Sequence, residues 1–146
     1  MINVTSPSTK EEFKAYYALR YKVLNEPWGH PRGTEKDDYE AISEHFMAVE
    51  GETGTLLGVV KLFERSAGVG QISHLAVDPK HQRQGIGSLL LEAIEGRARE
   101  RGFGVLGATT HATGTAYFEK HGYRVAGVQP AHLGIAHLVW MEKELL

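Results

Sequence analysis

Apolar and polar positions along the chain change period repeatedly, and each change predicts an element. Ile2 to Val4 reads as a short strand. Ser8 and Glu11 have the spacing of a capping box, and the helix after them places Phe13, Tyr16, Tyr17, Arg20, Val23 and Leu24 on one side. Two prolines and two glycines between Asn25 and Gly33 break regular structure. A short helix or turn is expected around Glu35 to Glu40. His45 to Glu50 and Leu56 to Glu64 read as strands joined by the Gly51 to Gly54 turn, an antiparallel hairpin. A further strand runs from Gln71 to Val77, where Asp78-Pro79 stops it.

A polar turn with two glycines then leads into a helix from about Ile86 to Arg101. Its apolar positions are Ile86, Leu89, Leu90, Ala93, Ile94 and Ala98, and Gly102 is placed to stop it. Val105 to Thr109 is the next strand. Thr113 or Thr115 is expected to cap a short helix carrying Tyr117, Phe118 and His121 and ended by Gly122. Tyr123 to Val128 and Ile135 to Lys143 complete the set. The order predicts an α/β (α+β) chain, a mixed sheet of seven strands with helices on its faces.

Size and composition narrow the picture. At 146 residues, with no linker or repeat, the chain is expected to form one domain over residues 1–146. A net charge of −2 offers no broad basic surface for nucleic acid. No apolar run approaches a membrane span and no signal peptide is visible, so a cytoplasmic setting is expected. The absence of cysteine excludes disulfides and thiol catalysis. The eight histidines fall in no metal-ligand spacing, and no metal is expected.

The chemistry concentrates between Leu75 and Leu91. Here a strand, a glycine turn and a helix follow one another, so the first helical N–H groups converge without internal acceptors where the dipole favours an anion. Gly85 and Gly87 allow close approach to the backbone, and Arg83 adds a positive charge. This suits a pyrophosphate. No Gly-Lys-Ser/Thr is present, which excludes the nucleoside-triphosphate P-loop, and Leu90 stands where a dinucleotide fingerprint needs a third glycine.

The stretch does fit Gln/Arg-x-x-Gly-x-Gly/Ala, filled by Gln82, Gly85 and Gly87, and it resembles the acyl-CoA-binding motif of the GNAT superfamily of N-acetyltransferases. A second element, Tyr117-Phe118-Glu119-Lys120-His121-Gly122-Tyr123, is similar to that family too. Leu19 to Leu24 and His137 to Met141 echo one bacterial-type subgroup. The resemblance covers nearly the whole chain and implies a mostly antiparallel sheet with helices on both faces.

It further implies an enzyme moving an acetyl group from acetyl-CoA to a primary amine of a small molecule or peptide by direct attack. The Leu75, Ala76 and Val77 backbone would pair with the pantetheine arm. The side chain of Gln82 belongs to the motif, and the amides of Arg83, Gln84, Gly85, Ile86, Gly87 and Ser88 would take the pyrophosphate. A bulge in the strand would free an N–H for the thioester oxygen. Tyr117 would protonate the departing thiolate, since a phenol is protonated at neutral pH.

A base must also take the proton of the amine. His74, His111, Glu26 and Glu35 are the candidates, with His74 first because its pKa range suits the task. Relatives often carry an Asn after the strand that ends near Thr109; here Thr110 to Thr115 contains none, leaving the Thr113 and Thr115 hydroxyls as substitutes. The acceptor side is expected from the first helix, the loop with Trp28, His30 and Arg32, and the hairpin before the last strand. Asp37-Asp38-Tyr39-Glu40 reads as a solvated charge run. The competing reading is a GNAT-fold module that binds acyl-CoA without catalysis. Many relatives dimerise, so a homodimer is an expectation of the family alone.

Overall fold

The computed structural model describes residues 1–129 and 138–145. Its strands are β1 (Ile2–Thr5), β2 (Glu44–Glu50), β3 (Leu56–Ser66), β4 (Val69–Val77), β5 (Val105–His111), β6 (Arg124–Gln129) and β7 (Leu138–Glu144). Three α-helices lie between them: α1 (Lys10–Leu24), α2 (Ile86–Glu100) and α3 (Thr115–Lys120). The strands form one sheet in the order β1-β2-β3-β4-β5-β7-β6. Among the described residues, only β4 and β5 run parallel. The expected mixed, mostly antiparallel α/β sheet is what the chain forms.

Helices cover both faces, as the alternation of strand side chains requires. Met47 and Val59 point to one face, where Tyr16 and Leu19 of α1 pack on them and on Ala76. Their neighbours Ala48 and Val60 point to the other, against Ile86, Leu90, Leu91, Ile94 and Ala98 of α2. Phe118 of α3 and Tyr123 join the α2 side. The buried stripe of α2 includes Leu91, which the sequence pattern left out, and Glu95.

Several boundaries differ from expectation. The capping box of α1 sits one residue later: Thr9 Oγ1 accepts from the Glu12 amide and Glu12 Oε1 accepts from the Thr9 amide. Ser8 also donates its amide and hydroxyl to Glu12 Oε1, so one carboxylate gathers three donors. No α-helix forms at Glu35 to Glu40. Single 3-10 turns occur at Glu26–Trp28 and Glu40–Ile42, and Asp37 and Glu40 bond to the buried Lys61 described below. Neither Thr113 nor Thr115 caps α3. Gly114 holds the cap position without a side-chain bond, and Thr115 Oγ1 donates to the Ala112 carbonyl. The expected start of the last strand, Ile135 to His137, lies outside the described residues, as does the tip of the β6–β7 hairpin expected to wall the acceptor side.

Gly102 ends α2 as expected. Its φ of 78° turns the chain, with the Phe103 amide donating to Ala98 O and the Gly102 amide to Arg99 O. Among the described residues, no helix is long and apolar enough to cross a membrane.

Candidate active site

The sheet itself opens the site. Pairing of β4 with β5 begins at Val69↔Val105 and ends at Ile72↔Ala108. Beyond that, β5 stays with β7 through His111↔Leu138, while β4 stays with β3 to Gly58↔Val77. The two strands therefore part, and a cavity of about 470 Å3 fills the wedge. Gln71 to Leu75 form one wall and Ala108 to His111 the other, with Leu24, Tyr117 and Leu138 among the remaining lining residues.

The expected bulge sits in this wedge. Val59 faces Ala76 and Lys61 faces Ser73, so His74 and Leu75 together stand opposite Val60. His74 takes up the extra residue with a φ of 55°, a left-handed conformation that costs a non-glycine residue about 1–2 kcal/mol.

A second groove, of about 680 Å3, adjoins the first through Leu75 and Tyr117, which line both. It gathers Leu75, Ala76, Val77, Gln82, Arg83, Gly85, Ile86, Gly87 and Ser88, with Lys120 and His121 opposite. Gln84 is the one expected cofactor residue that lines neither groove. Arg83 and Gly85 both have positive φ, 65° and 77°, and this double reversal turns the chain into α2. Gly85 caps α2 with no side chain donating or accepting there, and the first helical bond runs from the Leu89 amide to Gly85 O. The amides of Ile86, Gly87 and Ser88 thus keep the free donor capacity that an anion can use. Gln82 folds back instead, its Nε2 3.5 Å from Val77 O.

Tyr117 stands where the two grooves meet. A Cβ on Gly87 would overlap its hydroxyl, so the second motif glycine makes room for the phenol. Its ring lies 4.9 Å from that of His121 and 5.5 Å, edge-on, from Phe118. Burial raises its pKa, so the hydroxyl keeps its proton at neutral pH.

Of the four base candidates, His74 and His111 line the wedge. Glu26 is exposed in a 3-10 turn and lines neither groove. Glu35 is buried and structural: its Oε1 accepts from the Gly33 amide and its carbonyl accepts from Arg20. Trp28 is 75% exposed and lines neither groove. His30 and Arg32 tie the loop to α1, through Tyr21 Oη donating to His30 O and the Arg32 guanidinium over the Tyr21 ring.

Beneath His74 lies a set of charges that the sequence reading missed. Arg20 and Lys61 are both fully buried. Arg20 donates to Glu40 Oε1 at 2.9 Å, and Lys61 donates to Glu40 Oε2 at 2.8 Å and to Asp37 Oδ1. Asp37 and Glu40 are therefore ion-pair partners, not a solvated run. Burial disfavours the charged form of Glu40, but Lys61, the Asp37 amide and Arg20 outweigh it and hold the carboxyl far below its ordinary range. The available signal was Lys61 itself, one lysine in the apolar run Leu56 to Phe63.

Asp37, Glu40 and His74 bring their ligating atoms within 4.8 Å of one another, a spacing suited to a cation. The Lys61 ammonium already supplies positive charge to both carboxylates. Burial, with the charges of Arg20 and Lys61, lowers the His74 pKa from 6.5 to about 4, so its imidazole is neutral at neutral pH.

The model of the acetyltransferase (GNAT) family matches residues 10–123. The chain is similar to YjcF of Bacillus subtilis (strain 168), an uncharacterised N-acetyltransferase, with 29% identity over 136 residues covering 91% of this chain and 94% of that one. A crystal structure of a Lactobacillus plantarum protein assigned as an N-acetyltransferase superposes with a TM-score of 0.86 at 25% identity, covering 99% of each chain. A GNAT family acetyltransferase of Elizabethkingia anophelis with acetyl-CoA bound gives 0.79 at 21% identity, covering 98% and 97%. The open sheet, the uncapped helix start beside it and these likenesses agree: the chain belongs to the GNAT family of acetyltransferases.

Proposed function

We propose that this protein transfers the acetyl group of acetyl-CoA to a primary amine of a small molecule or peptide by direct attack. The observation that carries the reading is the continuity of the two grooves through Leu75 and Tyr117. One end offers helix amides and Arg83 to a pyrophosphate. The groove runs on along Leu75, Ala76 and Val77, where a pantetheine arm would lie, and opens at Leu75 into the wedge between the strands. Bound CoA or acetyl-CoA in relatives of the same fold supports the choice of cosubstrate.

In this reading the thioester lies at the bulge, where a backbone amide of Leu75 to Val77 stabilises the developing oxyanion. The amine nitrogen bonds to the carbonyl carbon, and the carbon–sulfur bond breaks. Tyr117 gives its proton to the leaving thiolate. His74, neutral in its buried setting, accepts the proton that the nitrogen sheds as the new bond forms. A free alkylammonium holds its proton too tightly for an imidazole of such low pKa, but attack on a carbonyl makes that nitrogen far more acidic.

Thiol release from acetyl-CoA, measured over a panel of primary amines, tests the proposal. Amine-dependent release with formation of the acetylamide supports it. CoA binding without release across a broad panel would favour the non-catalytic module instead.

A further inference from the structure

The proposed role of His74 leaves one question that the structure answers: what decides which ring nitrogen carries its proton. Nδ1 lies 2.9 Å from Ser73 Oγ and 3.9 Å from Asp37 Oδ2. Nε2 has no hydrogen-bond partner among the described residues, and the ring lines the wedge. A hydroxyl can donate or accept, so Ser73 alone fixes neither tautomer. Asp37 Oδ2, at 3.9 Å, is beyond hydrogen-bond reach, but its negative charge lies on the Nδ1 side of the ring, which favours a proton there and leaves the Nε2 lone pair to face a ligand.

Asp37 is itself held in place. Its Oδ1 accepts from Lys61, whose ammonium is fully buried and is shared with Glu40. Glu40 also accepts from Arg20, from Tyr17 Oη at 3.1 Å and from the Asp37 amide at 3.0 Å. The segment that carries Asp37 has no regular helix, so these bonds to β3 and α1 hold the carboxylate in place. Among the described residues, the charges that act on His74 are Arg20 and Lys61, positive, and Asp37 and Glu40, negative. Asp37 is the carboxylate that comes nearest to ring nitrogen Nδ1.

We propose that Asp37 is a positioning residue, which holds His74 as the Nδ1–H tautomer and turns Nε2 toward the acceptor amine. Lys61 anchors the carboxylate for this purpose. The proposal rests on the reading of His74 as the proton acceptor, but its structural half can be measured without turnover.

The experiment records the nitrogen-15 shifts of His74 at neutral pH in the wild type, Asp37→Asn and Asp37→Glu, alongside steady-state kinetics with an amine found in the panel. The wild type should show the Nδ1–H form. Asp37→Asn should shift the ring toward Nε2–H, because the negative charge on the Nδ1 side is removed, and should lower kcat at least about tenfold with KM for acetyl-CoA within about twofold. Asp37→Glu should recover part of both.

Asp37→Asn also removes one partner of Lys61. Lys61 keeps Glu40 in that variant; if it still fails to fold, the wild-type ring tautomer and the Asp37→Glu variant carry the same nitrogen-15 reading. An Nε2–H ring in the wild type, or unchanged tautomer and rate in Asp37→Asn, overturns the proposal. A wild-type rate in His74→Ala would sink the base reading instead, and the nitrogen-15 result would still decide what Asp37 does to the ring.

Discussion

The Tyr117 hydroxyl occupies the space that a side chain at Gly87 would need. The two motif glycines of the turn therefore do different jobs. Gly85 supplies a backbone conformation, with φ at 77° and open space around it, while Gly87 supplies room for the proposed acid. Gly87→Ala should displace the phenol and lower kcat by about tenfold or more, with little loss of stability because alanine favours a helix. Gly85→Ala should cost about 1 kcal/mol and lower Tm by a few degrees. Kinetics and thermal melts of the two variants check this split.

Tyr117→Phe keeps the ring against His121 and Phe118 but removes the proton. We expect kcat to fall by about a hundred- to ten-thousand-fold, with acetyl-CoA affinity nearly unchanged. An unchanged kcat at saturating substrates would remove Tyr117 from the chemistry.

The pH dependence of stability follows from His74 and Glu40. The His74 pKa is about 4 in the folded protein against 6.5 in the reference state, so the unfolded chain binds more protons between those values. The stability linked to His74 is complete above pH 6.5 and is lost as pH falls toward 4, up to about 3 kcal/mol. Glu40 is depressed as well, so its contribution is present above the unfolded carboxylate range and fades at lower pH. His74→Gln should flatten the denaturation midpoint between pH 6.5 and 4, and Glu40→Gln the part below. A His74→Gln curve parallel to wild type would contradict the assignment.

If His74 takes the amine's proton, His74→Ala should lose activity most where solvent base is scarce and keep more of it on the alkaline side. The ratio of wild-type to variant kcat, followed from pH 6 to 9, should fall as pH rises. A constant ratio would assign His74 a purely structural place.

Lys61→Ala should be the most destabilising of these changes. It leaves Asp37 and Glu40 without their shared cation, at a cost of about 3 kcal/mol or more, which chemical denaturation can measure.

Much of this was legible in the sequence because it depends on local patterns. The period of α2, the stop at Gly102 and the turn from Gln82 to Ser88 are written in neighbouring residues. The ion-pair set was not, because its members come from α1, an irregular loop and β3. The run Asp37 to Glu40 looks like any solvated charge cluster until Lys61 and Arg20 are placed beneath it. Glu35 shows the converse. It was a candidate base by its position and is instead buried, accepting from the Gly33 amide within its own loop. The cap of α1 slipped by one residue because Ser8 and Thr9 both offer a hydroxyl, and Glu12 takes donors from both.

In the proposed reaction, binding of CoA depends most on the free amides at the start of α2. Backbone nitrogen-15 spectra during titration with CoA, and separately with pantetheine, which lacks the diphosphate, probe them directly. We predict that the Gly85, Ile86, Gly87 and Ser88 amides shift strongly with CoA and little with pantetheine. Amides that stay put at millimolar CoA would contradict it.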